Sequence, residues 1–257
     1  MAIADWGSAE QQRFEAIREP LARVSTATAN HMLQMMGWRN TFAVGLSPLQ
    51  PLGRGLVLVG RARTVRYLPR RASEAAPATD EERAVHRAAR RNSPEMLTIE
   101  SLEPGDVFCV DAMGVLTAGI IGDILSARIR RRGAVMAVID GVVRDSPYIR
   151  MVGLPVICRG AHPAASGRDV APVDWDVPIH VAGVHVRPGD VVMADDDGAL
   201  FLPLDLAEIV AASGPAKERL EAWIRGKIQA GGSVWDYYPP TPEKLEEYER
   251  EQGGAGG

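Results

Sequence analysis

The stretch from residue 104 to residue 140 constrains the fold more than any other part of the sequence. A Pro104-Gly105-Asp106 turn leads into an apolar run, Val107 to Asp111, and a second apolar run covers Ala134 to Asp140. Between them, isoleucine and leucine recur at helical spacing from about Gly119 to Arg132. Continuous apolar strands joined by a helix are typical of buried parallel sheets. The sequence therefore predicts a strand-helix-strand unit in an α/β protein.

Further helices and strands are expected on either side of this unit. Thr79 and Glu82 form a capping box, and comparable signals mark other helix starts. The expected helices cover 10–23, 27–36, 79–91 and, in two pieces interrupted at Gly214-Pro215, 205–229; a strand covers 56–67 and a hairpin 191–202.

The charge of the chain is unevenly distributed. The net charge is −4 over 257 residues, and the segment from Asp236 to Glu251 alone carries six acids and two bases. The rest is neutral and lacks the positive field that phosphate binding needs, so we expect no nucleic-acid partner. The tail also contains four of the ten Trp and Tyr residues. We expect one domain over residues 1–231 and an acidic, aromatic arm over 232–257.

The cysteine content and the hydropathy bear on location. Cys109 and Cys158 both lie in apolar runs, which favours buried thiols over a disulfide framework. The first residues lack a signal-peptide pattern, and no apolar run approaches the roughly 20 residues of a membrane span. We therefore expect a cytoplasmic protein without a membrane partner.

The strand-helix-strand unit also gathers polar residues at one edge of the sheet. A right-handed crossover brings the helix start, Gly119 to Asp123, to the same edge as Arg144 and Asp145, which follow the second strand. Helix amides, a guanidinium and carboxylates are what a small 2-oxo acid and a hard divalent metal require. The same residues could instead pair with neighbours, pack the helix closely and cap it. The residue types alone leave both interpretations open.

These runs resemble the signature of the RraA-like family. The matching motifs span roughly residues 20 to 231: Gly119-x-x-Gly122-Asp123, Gly133-Ala134-Val135, Asp140-Gly141-x-x-Arg144-Asp145, Ser25-Thr26-Ala27-Thr28, Gly60-Arg61-Ala62-Arg63-Thr64-Val65, the Pro-Gly-Asp-Val turns at 104 and 188, and Asp197-Gly198. That family includes metal-dependent 4-hydroxy-4-methyl-2-oxoglutarate/4-carboxy-4-hydroxy-2-oxoadipate aldolases, which also decarboxylate oxaloacetate, and the regulators of ribonuclease E activity. The motifs are more specific for the family than for the reaction.

The resemblance implies a fold, an assembly and roles for particular residues. The fold would be the β/β/α swivelling-domain type with N-terminal helices and a C-terminal helical arm, assembled as a homotrimer or hexamer. Asp145 would ligate Mg²⁺ or Mn²⁺, Arg144 would contact the 2-oxo oxygen of the substrate, and Asp123 would orient water. The backbone of Gly119, Gly122, Asp123 and Ile124 would hold the carboxylate. Glu221, or else Glu218, would reach in from a neighbouring subunit.

The resemblance also implies a reaction. The protein would be a class II pyruvate aldolase that cleaves a 4-hydroxy-2-oxo dicarboxylic or tricarboxylic acid, with oxaloacetate decarboxylation through a shared pyruvate enolate. A Schiff-base mechanism is not expected, because the three lysines, Lys217, Lys227 and Lys244, are all remote from this region in the sequence. A non-catalytic binding protein similar to the ribonuclease regulators is the alternative, but those regulators lack the acid found here at Asp145. The segment 70–103 is longer than in the family and could reshape the pocket mouth.

Overall fold

An eight-stranded sheet and a separate hairpin lie at the centre of the protein, whose computed structural model describes residues 7–71 and 79–254. The strands are β1 (Ser47–Pro48), β2 (Leu58–Pro69), β3 (Asp106–Gly119), β4 (Met136–Val142), β5 (Val156–Cys158), β6 (Val170–Trp175), β7 (Ile179–Val181), β8 (Val184–Val186), β9 (Val191–Asp195) and β10 (Gly198–Leu202). The helices are α1 (Ser8–Leu21), α2 (Thr26–Met35), α3 (Asp80–Arg91), α4 (Pro94–Ser101), α5 (Asp123–Arg131), α6 (Ser146–Val152), α7 (Leu204–Gln229), α8 (Val234–Tyr237) and α9 (Pro242–Gly254).

The sheet is mixed and nearly closed. Its order is β1-β5-β4-β3-β2-β9-β10, with β6 also paired to β2. Strands β2 to β5 run parallel, whereas β1, β6, β9 and β10 are antiparallel to their neighbours. The first strand, β1, also contacts the last, β10, which nearly closes the sheet. This arrangement, with helices before the sheet and a long helix after it, confirms the expected α/β fold.

Three hydrophobic clusters pack against the sheet. Helices α4, α5 and α6 cover one face of the parallel strands through side chains such as Ile99, Ile129 and Ile149. The hairpin of β7 and β8 covers the other face of the same strands. Helices α1, α2 and α7 pack on β2, β9 and β10 in a separate cluster. Helix α7 is therefore part of a different cluster from the helices at the carboxyl ends of β3 and β4.

The Pro-Gly-Asp turns have a structural role. The carboxylate of Asp106 accepts a hydrogen bond from the Glu103 amide, and that of Asp190 accepts one from the Arg187 amide, both at 2.8 Å. Asp106 is buried and also lies 3.4 Å from a terminal nitrogen of Arg63. Burial raises the pKa of Asp106 even though the nearby positive charge opposes the rise. These family motifs therefore fix turns and a buried ion pair.

Two predicted element boundaries are wrong. The helix expected from about Gly119 begins at Asp123, because Gly119 still belongs to β3 and its amide donates to the Ala164 carbonyl. The interruption expected at Gly214-Pro215 does not occur, and α7 is continuous. A Cβ on Gly214 would lie 2.7 Å from a methyl group of Val24. The glycine therefore allows α7 to pack closely on the connection between α1 and α2.

The segment after Gly232 folds back onto α7. The Trp223 ring packs edge-on against Tyr237 and Tyr248, and the Lys227 ammonium group lies 2.6 Å from carboxylate oxygens of both Glu247 and Glu251. The acidic, aromatic composition of this arm thus matches an aromatic and basic stripe on α7. Among the described residues, no helix is long and apolar enough to cross a membrane.

Candidate active site

The start of α5 and the end of β4 meet at the carboxyl edge of the parallel strands. A Cβ on Gly119 would lie 2.7 Å from the Arg144 amide nitrogen, and one on Gly122 would lie 2.6 Å from Oδ2 of Asp145. The Arg144 amide also donates to the Ile121 carbonyl at 2.9 Å. The close approach requires glycine at both positions. The structure thus brings together four of the residues that the sequence placed in one site.

Arg144 and Asp145 form an ion pair that is open to solvent. The Arg144 Nε donates to Oδ2 of Asp145 at 2.9 Å, and the side chains are 39% and 32% exposed. Within the described part of the chain, neither the second carboxylate oxygen nor the two terminal guanidinium nitrogens have a hydrogen-bond partner. Asp145 has φ 54° and ψ 34°, a left-handed conformation that Asp tolerates better than most residues, and it precedes α6. The pair is therefore held in place with polar atoms left available.

Asp123 and Ile124 form the first turn of α5. Asp123 is half-buried, and its Oδ1 accepts a hydrogen bond from the Ile124 amide at 2.9 Å. The amides of Gly119 and Ile124, two of the expected carboxylate donors, thus already have partners within the chain. The first-turn amides of an α-helix have no partner inside the helix, so Gly122 and Asp123 supply the remaining donors. The Ile124 side chain is 76% exposed.

The two glutamates on α7 have different surroundings. Glu218 accepts hydrogen bonds from the amide and the hydroxyl of Ser25, at 2.8 and 2.6 Å. Partial burial raises the pKa of Glu218, but these hydrogen bonds outweigh it and the net shift is downward. Glu221 lies one turn later and is half-buried. Within one chain α7 packs on α1, α2 and α8, whereas α5 packs on α4 and α6, so Glu221 is not part of the Arg144 site of its own chain.

A second group of residues that could hold a metal ion lies on the other side of the sheet. Ligand atoms of Asp111, Asp140 and His180 all lie within 4.8 Å of one another. Asp111 and Asp140 are paired across β3 and β4, and His180 comes from the hairpin. No sequence pattern predicted that these three residues lie close together. The available signal was that an aspartate ends each of two adjacent predicted strands.

The carboxylates of this group also have structural partners. Asp140 accepts hydrogen bonds from the Arg159 Nε at 2.6 Å and from the Ala182 amide at 2.8 Å. Asp111 accepts one from the His180 amide at 3.2 Å. The bonds from the His180 and Ala182 amides attach the hairpin to the sheet. A metal ion there would have to share oxygens that already hold the hairpin in place.

The donor set at Asp145 is better suited to Mg²⁺ or Mn²⁺. Hard divalent ions prefer carboxylate oxygen and water, and Mg²⁺ is commonly bound through only one or two carboxylates. Asp145 offers an available oxygen in a partly exposed position, and Gly122 packs against the other oxygen, Oδ2. An imidazole ligand such as that of His180 is more typical of zinc, copper, iron and nickel sites. The residues present at Asp145 therefore fit the expected ion.

Comparison with known proteins points to one family. A family model described as RraA-like, Aldolase/RraA, matches residues 21–201. A protein of Halalkalibacterium halodurans named "Putative 4-hydroxy-4-methyl-2-oxoglutarate aldolase" is 31% identical over 172 residues, 67% of this chain and 72% of that protein. Protein DlpA of Legionella pneumophila is 29% identical over 190 residues, 74% of this chain. The chain spans only 28% of the length of DlpA.

A solved structure with the same fold is Streptomyces coelicolor RraAS2, described as an unusual member of the RNase ES inhibitor RraA protein family. It is 33% identical, with a TM-score of 0.68, and the match covers 82% of this chain and 96% of that chain.

Proposed function

This chain belongs to the RraA-like family, and on that premise we propose that it is a divalent-metal-dependent pyruvate aldolase. It cleaves a 4-hydroxy-2-oxo dicarboxylic or tricarboxylic acid into pyruvate and a second 2-oxo acid. It also decarboxylates oxaloacetate, because both reactions leave the same pyruvate enolate. Residues 1–231, including the long segment 70–103, form the catalytic domain, and residues 232–257 form an appended arm.

The observation that carries this proposal is the contact between the two glycines of the α5 start and the Arg144-Asp145 pair. Gly119 and Gly122 leave no room for a side chain on the side facing that pair. Because these two residues have no side chains, helix amides, a guanidinium and a carboxylate lie close together at a position that is open to solvent. Such a convergence is what a 2-oxo carboxylate needs for binding.

Each group at the site has a separate role in the proposed reaction. The amides of Gly122 and Asp123, at the positive end of the α5 dipole, bind the substrate carboxylate. The terminal nitrogens of Arg144 donate to the keto oxygen, where negative charge develops as the C3–C4 bond breaks. Asp145 fixes the orientation of Arg144 through the 2.9 Å bond to its Nε. Donors that are positioned in advance stabilise the developing charge without reorganisation.

Asp145 is the residue that would hold Mg²⁺ or Mn²⁺. When bound, the ion supplies Lewis-acid stabilisation of the developing oxyanion.

Aldol cleavage needs one group more than decarboxylation does. The C4 hydroxyl must lose its proton, and Asp123 and Glu221 are the acids proposed to accept it through water. Loss of CO₂ from oxaloacetate requires no such base. Asp123 stands directly at the α5 start, and its second carboxylate oxygen has no partner among the described residues.

Glu221 acts from a neighbouring copy in a homotrimer or hexamer. In its own chain, α7 lies against α1 and α2, away from α5 and α6. Large apolar side chains on α5 and α6 are exposed, with Ile124 in the first turn of α5 at 76% and Met151 near the end of α6 at 81%. Exposed apolar side chains at the rim of a polar site are typical of a subunit interface. A neighbouring α7 seated there would bring its Glu221 to the substrate.

The test is pyruvate formation from oxaloacetate by the purified protein with Mg²⁺ or Mn²⁺. Divalent metals decarboxylate oxaloacetate slowly on their own, so the matched control is the Asp145→Asn variant at the same metal concentration. We expect wild-type pyruvate formation well above that control. Equal rates with every divalent metal would contradict the enzyme proposal.

A non-catalytic regulator is the second candidate, and the likeness to RraAS2 favours it. RraAS2 is described as an unusual member of a family of RNase inhibitors. The presence here of both Asp123 and Asp145 supports the enzyme instead. Failure of turnover on oxaloacetate and on 4-hydroxy-2-oxo acids, together with binding to an RNase of that type, would support the regulator.

A further inference from the structure

A cavity of about 330 Å³ opens at the same sheet edge as the Arg144-Asp145 pair. Its walls come from the junction of α3 and α4, from β6 and from residues 165–167. Four of its five polar lining side chains belong to the segment 70–103: those of Arg70, Arg90, Ser93 and Glu95. This segment thus builds a pocket beside the carboxyl ends of the parallel strands.

The cavity adjoins the proposed active site through Gly119. The Gly119 amide donates to the Ala164 carbonyl at 2.8 Å, and Gly119 pairs with Ala165, which lines the cavity. Adjacent strands lie about 4.8 Å apart, so the cavity begins one strand spacing from Gly119. Gly119 in turn packs directly against Arg144. Gly119 therefore lies between the Arg144-Asp145 pair and the wall of the cavity.

The lining of the cavity suits an anion. It contains two guanidinium groups, from Arg70 and Arg90, and hydroxyls from Ser93 and Ser166. Glu95 is the one acid among the lining residues, and its carboxylate accepts a hydrogen bond from the Tyr67 hydroxyl at 2.6 Å. Burial raises the pKa of the Glu95 carboxyl. The net charge of the lining is positive whether or not Glu95 is ionised.

We propose that this cavity is a specificity subsite for the carboxylates at the far end of the aldol substrate, those carried beyond C4. This inference rests on the proposed aldolase function. The first turn of α5 and Arg144 can hold only the C1 carboxylate and the keto oxygen. A tricarboxylic substrate such as 4-carboxy-4-hydroxy-2-oxoadipate brings further negative charge that needs cations of its own. Arginine pairs with carboxylates through two parallel hydrogen bonds, which suits this task.

The first test compares two arginines on the same helix. Arg90→Gln removes a charge from the cavity, and Arg91→Gln removes the same charge from an exposed residue that does not line it. The measured quantity is the ratio of kcat/KM for 4-carboxy-4-hydroxy-2-oxoadipate to kcat/KM for oxaloacetate, which has no carbon atom beyond C4. We expect Arg90→Gln to lower this ratio about 10- to 100-fold, Arg90→Lys to give an intermediate value and Arg91→Gln to leave it unchanged.

The second test does not depend on turnover. Propane-1,2,3-tricarboxylate is titrated calorimetrically into the wild-type protein and both variants. We expect saturable binding that weakens at least about tenfold in Arg90→Gln and stays the same in Arg91→Gln. This result without any turnover would overturn the aldolase proposal while keeping a carboxylate site. If Arg90→Gln changes neither the ratio nor the affinity, or if the wild type does not bind the tricarboxylate, the subsite proposal is wrong.

Discussion

The Nε of Arg144 lies 2.9 Å from Oδ2 of Asp145, so two consecutive residues pair through one edge of the guanidinium and one oxygen of the carboxylate. The remaining donors and the remaining oxygen have no partner among the described residues and face an open site. The pair thus fixes the direction of both side chains without using all of their bonding capacity. A residue pair built only for stability would leave fewer polar atoms available.

Replacing Asp145 and His180 distinguishes the two candidate metal groups. Asp145→Asn keeps a residue that tolerates φ 54°, so we expect wild-type melting, whereas Ala would add backbone strain of roughly 1 kcal/mol. Asn removes the anionic ligand, and turnover should fall at least about 100-fold. Binding of Mn²⁺, followed by electron paramagnetic resonance, should also be lost.

His180→Ala is the matched variant at the other group, and we expect it to keep both Mn²⁺ binding and turnover. The opposite pattern, with Mn²⁺ binding lost in His180→Ala and kept in Asp145→Asn, would assign the metal site to Asp111, Asp140 and His180.

Adding one methyl group at Gly122 should disable the site. Its Cβ would lie 2.6 Å from Oδ2 of Asp145, closer than real contacts allow, so the carboxylate must shift in Gly122→Ala. A misplacement of about 1 Å in a catalytic group can cost about 100-fold in rate. Gly226→Ala is the control, because no atom lies within 4 Å of the added carbon and the change should slightly stabilise α7. Equal turnover in the two variants would show that Asp145 need not hold its position.

The sequence was sufficient to predict the parts of the fold that depend on local patterns. The strand-helix-strand unit, the hairpin of β9 and β10 and the Thr79-Glu82 capping box all follow from periodicity and short-range hydrogen bonding, and the structure confirms them. The break at Gly214 was predicted wrongly because that glycine serves a tertiary contact with Val24. Local propensity carries no information about such a contact.

The candidate site could be predicted only in part from the sequence. The convergence of Gly119, Gly122, Arg144 and Asp145 follows from the crossover rule and is seen in the structure. The group around His180 depends on how a separate hairpin docks on the sheet, and no periodic pattern specifies that. Likewise the cavity at Arg90 requires the position of an inserted helix relative to β6.

Asp123→Asn should separate the two proposed reactions. If Asp123 serves as the base for the C4 hydroxyl, its loss removes a contribution of about 100-fold or more from aldol cleavage. Oxaloacetate decarboxylation needs no base and should fall much less in the same variant. Steady-state kinetics with both substrates measures the ratio, so each preparation acts as its own control. A parallel loss of the two activities would assign Asp123 to binding or positioning instead.

Mixing two variants that each lack aldol cleavage tests whether Glu221 acts between subunits. Asp145→Asn keeps a working Glu221, and Glu221→Gln keeps a working metal site. If each site takes its glutamate from the next subunit of a ring, random mixed rings contain intact sites at about one quarter of the positions. Co-expression should therefore restore about a quarter of the wild-type rate of aldol cleavage.

No recovery from co-expression, in an oligomer verified by light scattering, would mean that Glu221 does not complete a neighbour's site. Glu218→Gln is a useful contrast. Glu218 accepts hydrogen bonds from Ser25 of its own chain. Glu218→Gln should therefore lower the melting temperature, and co-expression with Asp145→Asn should not correct this loss of stability.

Acid should release the C-terminal arm from α7 before it affects the sheet. Hydrogen bonds from Lys227 and Lys244 lower the pKa of Glu247 from 4.5 to about 2. Since the folded pKa lies below the unfolded value, the ion pairs contribute fully above about pH 4.5 and are lost as the pH falls toward 2. Hydrogen exchange of α9, corrected for intrinsic rates, should therefore rise over that interval.

Two variants test the role of Glu247 in this effect. Glu247→Gln should show the faster exchange already at pH 7. Glu246→Gln, which removes a charge from an exposed residue, should behave like the wild type. Exchange in α9 that is independent of both pH and Glu247 would mean that the contacts of Trp223 with Tyr237 and Tyr248 hold the arm without the ion pairs.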